Sequence, residues 1–318
     1  MTSPAGSPHR LDAAKFRDPR VTLQGAPRAS VAFAGLHMLW INTGTLCNIA
    51  CANCYIESSP RNDALAFISA AEVAALLDEA TTPQRHLQQV GFTGGEPFLN
   101  HDLPAMLQDV LGRGLRALVL TNAMKPMLRH AAALRLLAGT FGDRLTLRVS
   151  IDHPDPARHD AERGSGSFAQ AIAGLEWLVR AGVHVHVAGR PGLSGESETA
   201  LREGFSRLFA SHRIPLDADD RQVLVLFPEM DAAVDVPEIS TACWDILHRN
   251  PEELMCATAR MAVKRKGADR PGVVACTLLP YDPRFELGAT LAEAARPVAL
   301  NHPHCARFCV LGGGSCAP

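Results

Sequence analysis

An apolar run that ends in three closely spaced cysteines occupies residues 36–55, LHMLWINTGTLCNIACANCY. The segment 36–42 is strand-like, and Cys47, Cys51 and Cys54 follow it in C-x3-C-x2-C spacing. Three soft thiolates on one short loop are a donor set that suits an iron–sulfur cluster. Because a [4Fe–4S] cube has four irons, three thiolates leave one iron open to an outside ligand, much as a catalytic zinc keeps an open position.

The cysteine spacing alone leaves two other interpretations open. A structural zinc loop completed by a distant ligand uses the same side chains, and buried cysteines also act as small hydrophobes. The next strand-like run, 88–93, ends in Gly94-Gly95-Glu96-Pro97, which by itself is typical of an ordinary turn with a capping acid. Both motifs follow strands, and the ends of parallel strands share one rim, so their joint placement favours a single active site.

Six strand-like runs alternate with segments of helical spacing. The runs are 36–42, 88–93, 115–121, 144–151, 182–188 and 221–227. The first helix has the clearest start, because Ser69 and Glu72 form a capping box ahead of an apolar face. Strands that are each followed by a helix predict parallel pairing, which allows either an open doubly wound sheet or a barrel-like sheet of six units.

The later strand ends also carry polar groups. Thr121 and Asn122 follow the third strand, Ser150 and Asp152 follow the fourth, and Arg190 follows the fifth. Each of these is common at a strand boundary and weak by itself. An arginine at such a place can pair with a carboxylate through a bidentate fork, or it can be a solvated loop side chain.

Together these motifs resemble the radical S-adenosylmethionine (SAM) superfamily, whose members carry the cysteine loop after strand one and GGEP after strand two. The resemblance covers about residues 36–230 and implies an α/β fold, a partial (β/α)6 TIM-like barrel. It also implies that SAM chelates the open iron of a 4Fe-4S cluster through its amino and carboxylate groups. An electron from the reduced cluster would cleave SAM to methionine and a 5′-deoxyadenosyl radical, which abstracts a substrate hydrogen.

The same resemblance implies cofactor-binding roles. The GGE turn would hold the SAM amino group, the fourth strand end would contact the ribose or carboxylate, and Arg190 would pair with the carboxylate. Tyr55 and 226–228 would flank the adenine, and Asn53 stands where relatives usually have an aromatic or bulky residue. The predicted SAM contacts are Tyr55, Gly94, Gly95, Glu96, Asn122, Ser150, Asp152 and Arg190.

A second group of cysteines follows residue 235. Its members are Cys256, Cys276, Cys305, Cys309 and Cys316. This part resembles the Twitch and SPASM extensions of radical SAM enzymes. The resemblance implies a small C-terminal cysteine-rich iron–sulfur module with one auxiliary 4Fe-4S cluster, held by Cys256, Cys276 and two of the last three cysteines. A zinc site with four cysteine ligands is the alternative, and Cys243 is predicted to be a buried spare thiol.

The bulk composition narrows the classes of protein. With 47% hydrophobic residues, the 318-residue chain can bury a large core. Its 31 Lys and Arg nearly balance 33 Asp and Glu. This balance argues against a net positive potential that would attract nucleic acid or an anionic membrane surface. No signal peptide or membrane span is predicted, so we expect a cytoplasmic protein. In that compartment nine cysteines favour metal or redox chemistry over disulfides.

The chain is predicted to have three parts. These are an extended or poorly ordered N-terminal arm, 1–34, a radical SAM partial barrel, 35–235, and an auxiliary iron–sulfur module, 236–318. His184 and His186 alternate on the fifth strand and are predicted to face the barrel interior. The candidates for a general base after the fourth strand are His153, Asp155, His159 and Asp160, and no catalytic residue is assigned among them.

The sequence therefore predicts a radical SAM enzyme of the oxidoreductase or maturase type. Its predicted substrate is a small molecule that is oxidised, cyclised or rearranged, and a peptide or protein substrate is the alternative. An electron donor such as flavodoxin or ferredoxin is expected as a partner. A non-catalytic iron–sulfur or zinc protein stays open as a different class, against which the GGEP motif argues, because a pure electron carrier needs no site for an amino acid.

Overall fold

The structure of the chain is a computed structural model that describes residues 10–81, 86–191, 195–228 and 230–314. The strands are β1 (Ser30–Val31), β2 (Met38–Asn42), β3 (Gln89–Thr93), β4 (Arg116–Thr121), β5 (Leu145–Ser150), β6 (His184–Gly189), β7 (Leu224–Leu226), β8 (Ala259–Val263), β9 (Gly272–Val274), β10 (Glu286–Gly288) and β11 (Val298–Ala299). The helices are α1 (Ala70–Ala80), α2 (Leu103–Gly112), α3 (Lys125–Leu128), α4 (Ala131–Phe141), α5 (Pro156–Arg163), α6 (Ser167–Arg180), α7 (Glu198–Ser211), α8 (Cys243–Leu247) and α9 (Met255–Thr258).

The main sheet joins its strands in the order β10-β9-β8-β2-β3-β4-β5-β6-β7. From β8 to β7 every neighbouring pair is parallel, whereas β9 and β10 pair antiparallel at one edge. The six predicted strands are β2 to β7, and they lie side by side in chain order without the reversal of a doubly wound sheet. The prediction of an α/β fold with a partial (β/α)6 barrel is confirmed.

Local sequence patterns account for the layers of the barrel. On β5, Leu145, Leu147 and Val149 are fully buried, while Arg148 and Ser150 line a cavity inside the barrel. Because side chains alternate along a strand, the apolar ones point towards the helices and the polar ones towards the barrel interior. A strand with this alternation therefore supplies both a core and a site.

The predicted capping box at the start of α1 is confirmed. The Ser69 hydroxyl accepts a hydrogen bond from the Glu72 backbone N–H (3.3 Å), and the Glu72 carboxylate accepts one from the Ser69 N–H (2.8 Å). Both bonds satisfy amides that have no partner within the helix. The apolar face that follows is buried at Val73, Leu76 and Leu77.

Residues 10–34 differ from the expected extended or poorly ordered arm. β1 pairs antiparallel with β11, and Arg28 forms a buried salt bridge with Glu238. The Glu238 carboxylate also accepts hydrogen bonds from the backbone N–H groups of Phe16 and Leu23, both at 2.6 Å. These long-range contacts attach the segment to the C-terminal part of the chain, and no local sequence pattern predicts them.

Three of the strands after residue 235, β8, β9 and β10, continue the barrel sheet, while β11 pairs with β1 in a separate two-stranded sheet. β8 pairs in parallel with β2, with Met38 opposite Ala259 and Trp40 opposite Met261. The barrel sheet contains strands from both sides of the predicted boundary between 35–235 and 236–318. The sheet therefore does not mark this boundary, which stays a prediction. None of the helices in the described part of the chain is long and apolar enough to cross a membrane.

Replacing Glu238 by glutamine tests how firmly residues 10–34 are held. The variant keeps the shape of the side chain but leaves the buried Arg28 charge without its counter-ion, a change that typically costs about 3–5 kcal/mol. We expect the amides of Phe16 and Leu23 to exchange with deuterium at least about tenfold faster, since tenfold needs only about 1.4 kcal/mol. Glu203→Gln, at an exposed pair with Arg207, is the control. Exchange equal to wild type in both variants would contradict the role of this salt bridge.

Candidate active site at the carboxyl ends of the strands

A cavity at the carboxyl ends of β2 to β7 gathers most of the predicted site residues. The predicted residues that line it are Cys47, Cys51, Cys54, Tyr55, Gly94, Gly95, Asn122, Ser150, Asp152 and Arg190. Glu96 does not appear among the described lining residues. Successive strand ends thus form one rim, as expected for parallel βα units.

The cysteine loop, 43–59, and the glycine turn, 94–96, are joined backbone to backbone. The Glu96 N–H donates a hydrogen bond to the carbonyl of Leu46 (3.1 Å). A Cβ atom on Gly95 would lie 2.1 Å from that carbonyl oxygen, so a larger residue does not fit there. The two motifs therefore form one surface beside the ends of β2 and β3.

The three thiols of the cysteine loop lie in a mostly buried setting. Burial, assisted by the nearby Glu96 and the other two cysteines, raises the pKa of Cys47 to about 12 against the effect of a backbone hydrogen bond. Burial also raises the pKa of Cys51, while Arg163 opposes that rise. Bare thiolates are therefore disfavoured here, and a bound metal group would stabilise them. Within the described residues, no three His, Cys, Asp or Glu side chains converge closely enough to hold a single metal ion.

Glu96 fastens the end of β4 to the glycine turn. Its buried carboxylate accepts hydrogen bonds from the Thr121 hydroxyl (2.9 Å), the Asn122 N–H (2.9 Å) and the Phe98 N–H (3.2 Å). Burial raises the pKa of Glu96 to about 7, and these hydrogen bonds only partly offset it. The carboxylate is occupied by the protein, so a direct contact of this side chain with SAM stays a prediction that the geometry does not favour.

Asn122 reaches the cysteine loop from the end of β4. Its Nδ2 donates to the Asn48 Oδ1 (2.9 Å) and lies 3.9 Å from the sulfur of Cys47. Asn48 in turn lies 3.6 Å from the sulfur of Met124. Sequence reasoning missed Asn48, although its place directly after Cys47 was a signal that it would lie near the site.

Asp152 holds an arginine that the sequence did not indicate. Both carboxylate oxygens of Asp152 accept hydrogen bonds from the Arg163 guanidinium at 2.8 Å. Burial alone would raise the pKa of Asp152, but Arg163, with help from Arg190, holds it below its usual range. Arg163 ends α5 and lines the cavity. In the sequence, only its position in the helix after the fourth strand indicated that it could lie near the site.

Arg190 lines the cavity near Glu162, which lies next to Arg163 in the chain. Its guanidinium lies 3.7 Å from the Glu162 carboxylate. Glu162 also accepts a hydrogen bond from the Asn53 side chain (2.8 Å), and its carbonyl accepts one from the Ala52 N–H (2.8 Å). The carboxyl end of α5 therefore braces the cysteine loop, and the pairing of Arg190 with the SAM carboxylate stays a prediction.

The candidates for a general base serve mainly structural contacts. Asp155 caps α5, Asp160 accepts hydrogen bonds from the Phe168 and Gly166 N–H groups, and His159 accepts one from the Asp152 N–H (3.2 Å). Burial lowers the pKa of His159 to about 4. His153 pairs with the Glu196 carboxylate at 2.9 Å. These four residues are not among the described lining of the cavity.

Two predicted interior histidines lie on β6. His186 is directly opposite Arg148 of β5, which lines the cavity, and His184 contacts the Thr146 hydroxyl (3.0 Å) below it. The two imidazole rings meet edge to face with centroids 5.0 Å apart. His184 is exposed and His186 is half-buried, so the prediction that both face the barrel interior stays a prediction.

Part of the C-terminal stretch reaches over the cavity. Phe308 stacks on Phe227 with ring centroids 5.8 Å apart, and both rings line the cavity together with Leu278. Phe308 lies on a π-helix, Cys305–Leu311, that carries two of the predicted auxiliary ligands. No periodicity in the sequence indicated that these residues would meet the end of β7.

Two of the C-terminal cysteines, Cys305 and Cys309, belong to this π-helix, and Cys256 lies near Cys305. Cys256 and Cys305 are buried, and burial, assisted by the nearby Cys256, raises the pKa of Cys305 to about 12. The sulfur of Cys276 accepts a hydrogen bond from the Leu278 N–H (3.3 Å). Cys309 is half-buried, and Cys316 lies outside the described residues. The spare thiol Cys243 is half-buried, 3.6 Å from the Ser240 hydroxyl.

The family model of the radical SAM superfamily matches residues 41–206, more than half of the chain. The chain therefore belongs to the radical SAM superfamily. Membership implies an enzyme with a 4Fe-4S cluster and SAM as cofactors, in agreement with the motifs that the cavity brings together.

Relatives of known name share part of this match. The AdoMet-dependent heme synthase of Oleidesulfovibrio alaskensis is 33% identical over 144 residues, which are 44% of this chain and 34% of that protein. The antilisterial bacteriocin subtilosin biosynthesis protein AlbA of Bacillus subtilis is 32% identical over 143 residues, 45% of this chain and 30% of that protein. The chain thus spans about a third of the length of these relatives.

A solved structure shares the fold. Streptococcus suis SuiB bound to S-adenosylmethionine superposes with a TM-score of 0.56, over 80% of this chain and 64% of that one, at 13% sequence identity. At that identity the likeness concerns the architecture alone. It agrees with the partial barrel and extends beyond the part matched by the family model.

The buried carboxyl of Glu96 predicts a pH-dependent stability. Its folded pKa of about 7 lies above the ordinary 4.5, so folding favours its protonated form. The stabilisation is complete below about pH 4.5 and declines as the pH rises through about 7. Glu96→Gln lacks this decline. The unfolding free energy of the variant minus that of wild type should therefore increase from about pH 5 to about pH 8. Urea unfolding of the cofactor-free, thiol-reduced protein measures it, and parallel pH profiles would refute it.

Proposed function

We propose that this radical SAM enzyme holds its cluster through Cys47, Cys51 and Cys54 and cleaves SAM beside them to abstract a hydrogen from an organic substrate. The observation that carries the proposal is that the three thiols, the glycine turn and Arg163 line one cavity. The donor set fits the cluster, because in a cubane each thiolate binds a different iron and the sulfurs need not converge on one point. When bound, the cluster and SAM supply a 5′-deoxyadenosyl radical.

The surrounding residues support binding of SAM at this cavity. The glycine turn exposes backbone groups beside the thiols, and it lacks side chains that would occupy the space. Arg163 supplies a guanidinium whose direction is fixed by Asp152. Beside the predicted Arg190, we add Arg163 as a candidate partner of the SAM carboxylate, since Asp152 engages its Nε and Nη2 and the other edge of the guanidinium can still donate to a carboxylate. Ser150 and Tyr55 line the same cavity and remain our candidates for the ribose and the adenine.

An auxiliary 4Fe-4S cluster in the C-terminal stretch is the second part of the proposal. We assign it to Cys256, Cys276, Cys305 and one of the last two cysteines. The proximity of Cys256 and Cys305 supports it, and so does the position of Leu278, two residues after Cys276, in the cavity lining. A group held there would lie close to the substrate space, where it could accept an electron, coordinate substrate or stabilise the fold.

A small organic molecule is our preferred substrate. Phe227, Phe308 and Leu278 give the cavity an apolar wall that suits a compact organic ligand. The alternative is a peptide, favoured by the names of AlbA, a bacteriocin biosynthesis protein, and of SuiB, whose structure is also known with its precursor peptide SuiA. A one-electron donor such as flavodoxin or ferredoxin would reduce the cluster in either case.

Anaerobic reconstitution followed by dithionite and SAM tests the cleavage reaction. Wild type should form 5′-deoxyadenosine, whereas Cys51→Ala should form none above background because the cluster loses one of its three thiolates. Cys243→Ala, a half-buried thiol outside both ligand sets, is the matched control and should cleave SAM as wild type does. Wild type that binds about eight irons per chain yet forms no 5′-deoxyadenosine would refute the proposal.

Metal analysis tests the auxiliary cluster separately. The double variant Cys256→Ala/Cys305→Ala should lose about four of about eight irons and still cleave SAM, because the first cluster is untouched. Cys243→Ala should keep all of the iron. Wild type with about four irons and one zinc would show a structural zinc site instead, and about four irons without zinc would remove the auxiliary cluster from the proposal.

A further inference from the structure

The side chain of Asn122, the residue directly after β4, is directed at a sulfur of the cysteine loop. Its Nδ2 lies 3.9 Å from Cys47 Sγ and 2.9 Å from Asn48 Oδ1. An amide nitrogen carries two protons, so it can serve both acceptors at once. Asn122 is 6% exposed, so water competes little for either proton.

The orientation of the amide is determined by its other bonds. Asn122 Oδ1 accepts a hydrogen bond from the Met124 N–H (3.1 Å), which an NH2 group in the same place could not do. The flipped amide is therefore excluded, and the nitrogen must face Cys47. The Asn122 backbone N–H is held in turn by the buried Glu96 carboxylate (2.9 Å). Both ends of the residue are thus fixed before any cofactor binds.

Among the other contacts of the thiols, the Asn48 side-chain Oδ1 lies 4.0 Å from Cys47 Sγ and can only accept a hydrogen bond, whereas the donors belong to the backbone. The sulfur of Cys54 accepts its hydrogen bond from the backbone N–H of Ser58 (3.3 Å), and a backbone hydrogen bond from Ile49 acts on Cys47. Backbone donors are insensitive to most substitutions. Asn122, directly after β4, is a side-chain donor tied through Glu96 to the glycine turn, so it connects one proposed cluster ligand to the turn proposed to face SAM.

We propose that Asn122 is a positioning residue that donates a hydrogen bond to the Cys47 thiolate and thereby raises the reduction potential of the first cluster. The inference rests on the proposed role of Cys47 as a cluster ligand. A donated N–H draws electron density from the thiolate and stabilises the more negative, reduced cluster, and hydrogen bonds to the sulfurs are an established determinant of such potentials. Its loss makes the one-electron reduction harder without removing a ligand.

Asn122→Leu in the reconstituted holoenzyme tests this. Leucine has a similar size but no donor, and the backbone bond to Glu96 remains. Redox titration is followed by the electron paramagnetic resonance signal that changes when SAM is added, because only a cluster with an open iron responds to SAM. At a fixed potential the ratio of reduced to oxidised cluster should fall about tenfold, which is about 59 mV for a one-electron couple.

Asn53→Leu is the matched control, since the Asn53 amide lies in the same loop but donates to Glu162. It should change the ratio less than about threefold, or about 30 mV for one electron. A potential in Asn122→Leu within the range of this control overturns the proposal. If Asn122→Leu takes up no iron, the isosteric Asn122→Asp replaces it, with Asn53→Asp as the control for the added charge, and a shift no larger than in that control overturns the proposal.

The same experiment separates this inference from the proposed function. If wild type shows no SAM-sensitive signal, the proposed function fails at the first cysteine loop. If the signal forms, SAM is cleaved and the potential is independent of residue 122, the proposed function stands and only the role of Asn122 is refuted.

Discussion

The contact between the glycine turn and the cysteine loop is the constraint on which the rest of the site depends. Because Gly95 has no side chain, its backbone approaches the Leu46 carbonyl to a distance that a Cβ atom would occupy. Two motifs that are about forty residues apart in the chain then present their thiols and backbone groups to one cavity. Parallel pairing of β2 with β3 brings them to the same rim, and the glycine lets them touch.

Two buried carboxylates organise the remaining strand ends in opposite ways. Glu96 accepts hydrogen bonds from Thr121, Asn122 and Phe98 and feels Arg163 only as a weaker influence, so burial dominates and its pKa rises. Asp152 is equally buried but holds a bidentate arginine, so its pKa falls despite burial. The first therefore acts as an acceptor that joins β3 to β4. The second keeps a charged guanidinium oriented in the cavity, where it can meet an anionic group.

The C-terminal stretch extends the barrel sheet, and residues 10–34 pack against that stretch. β8 extends the parallel sheet beside β2, and the π-helix that carries Phe308 forms part of the cavity wall. The buried pair of Arg28 and Glu238 fastens the amino-terminal segment to this stretch. The proposed auxiliary cysteines therefore lie in a part of the fold that is continuous with the barrel, and a group held by them would be close to the proposed site of radical formation.

The sequence by itself determined the features that depend on local patterns. The strands β2 to β7, the capping box at Ser69, and the placing of the cysteine loop and glycine turn on one rim follow from periods of two and 3.6 and from spacing within a few residues. Only the tertiary structure decided that Arg163, Asn48 and Phe308 join the site, that the Glu96 carboxylate is engaged by Thr121 and Asn122, and that residues 10–34 are held in place. These features depend on contacts between side chains that are distant in the chain, or on side-chain directions set by the local backbone. Such contacts produce no periodic pattern in the sequence.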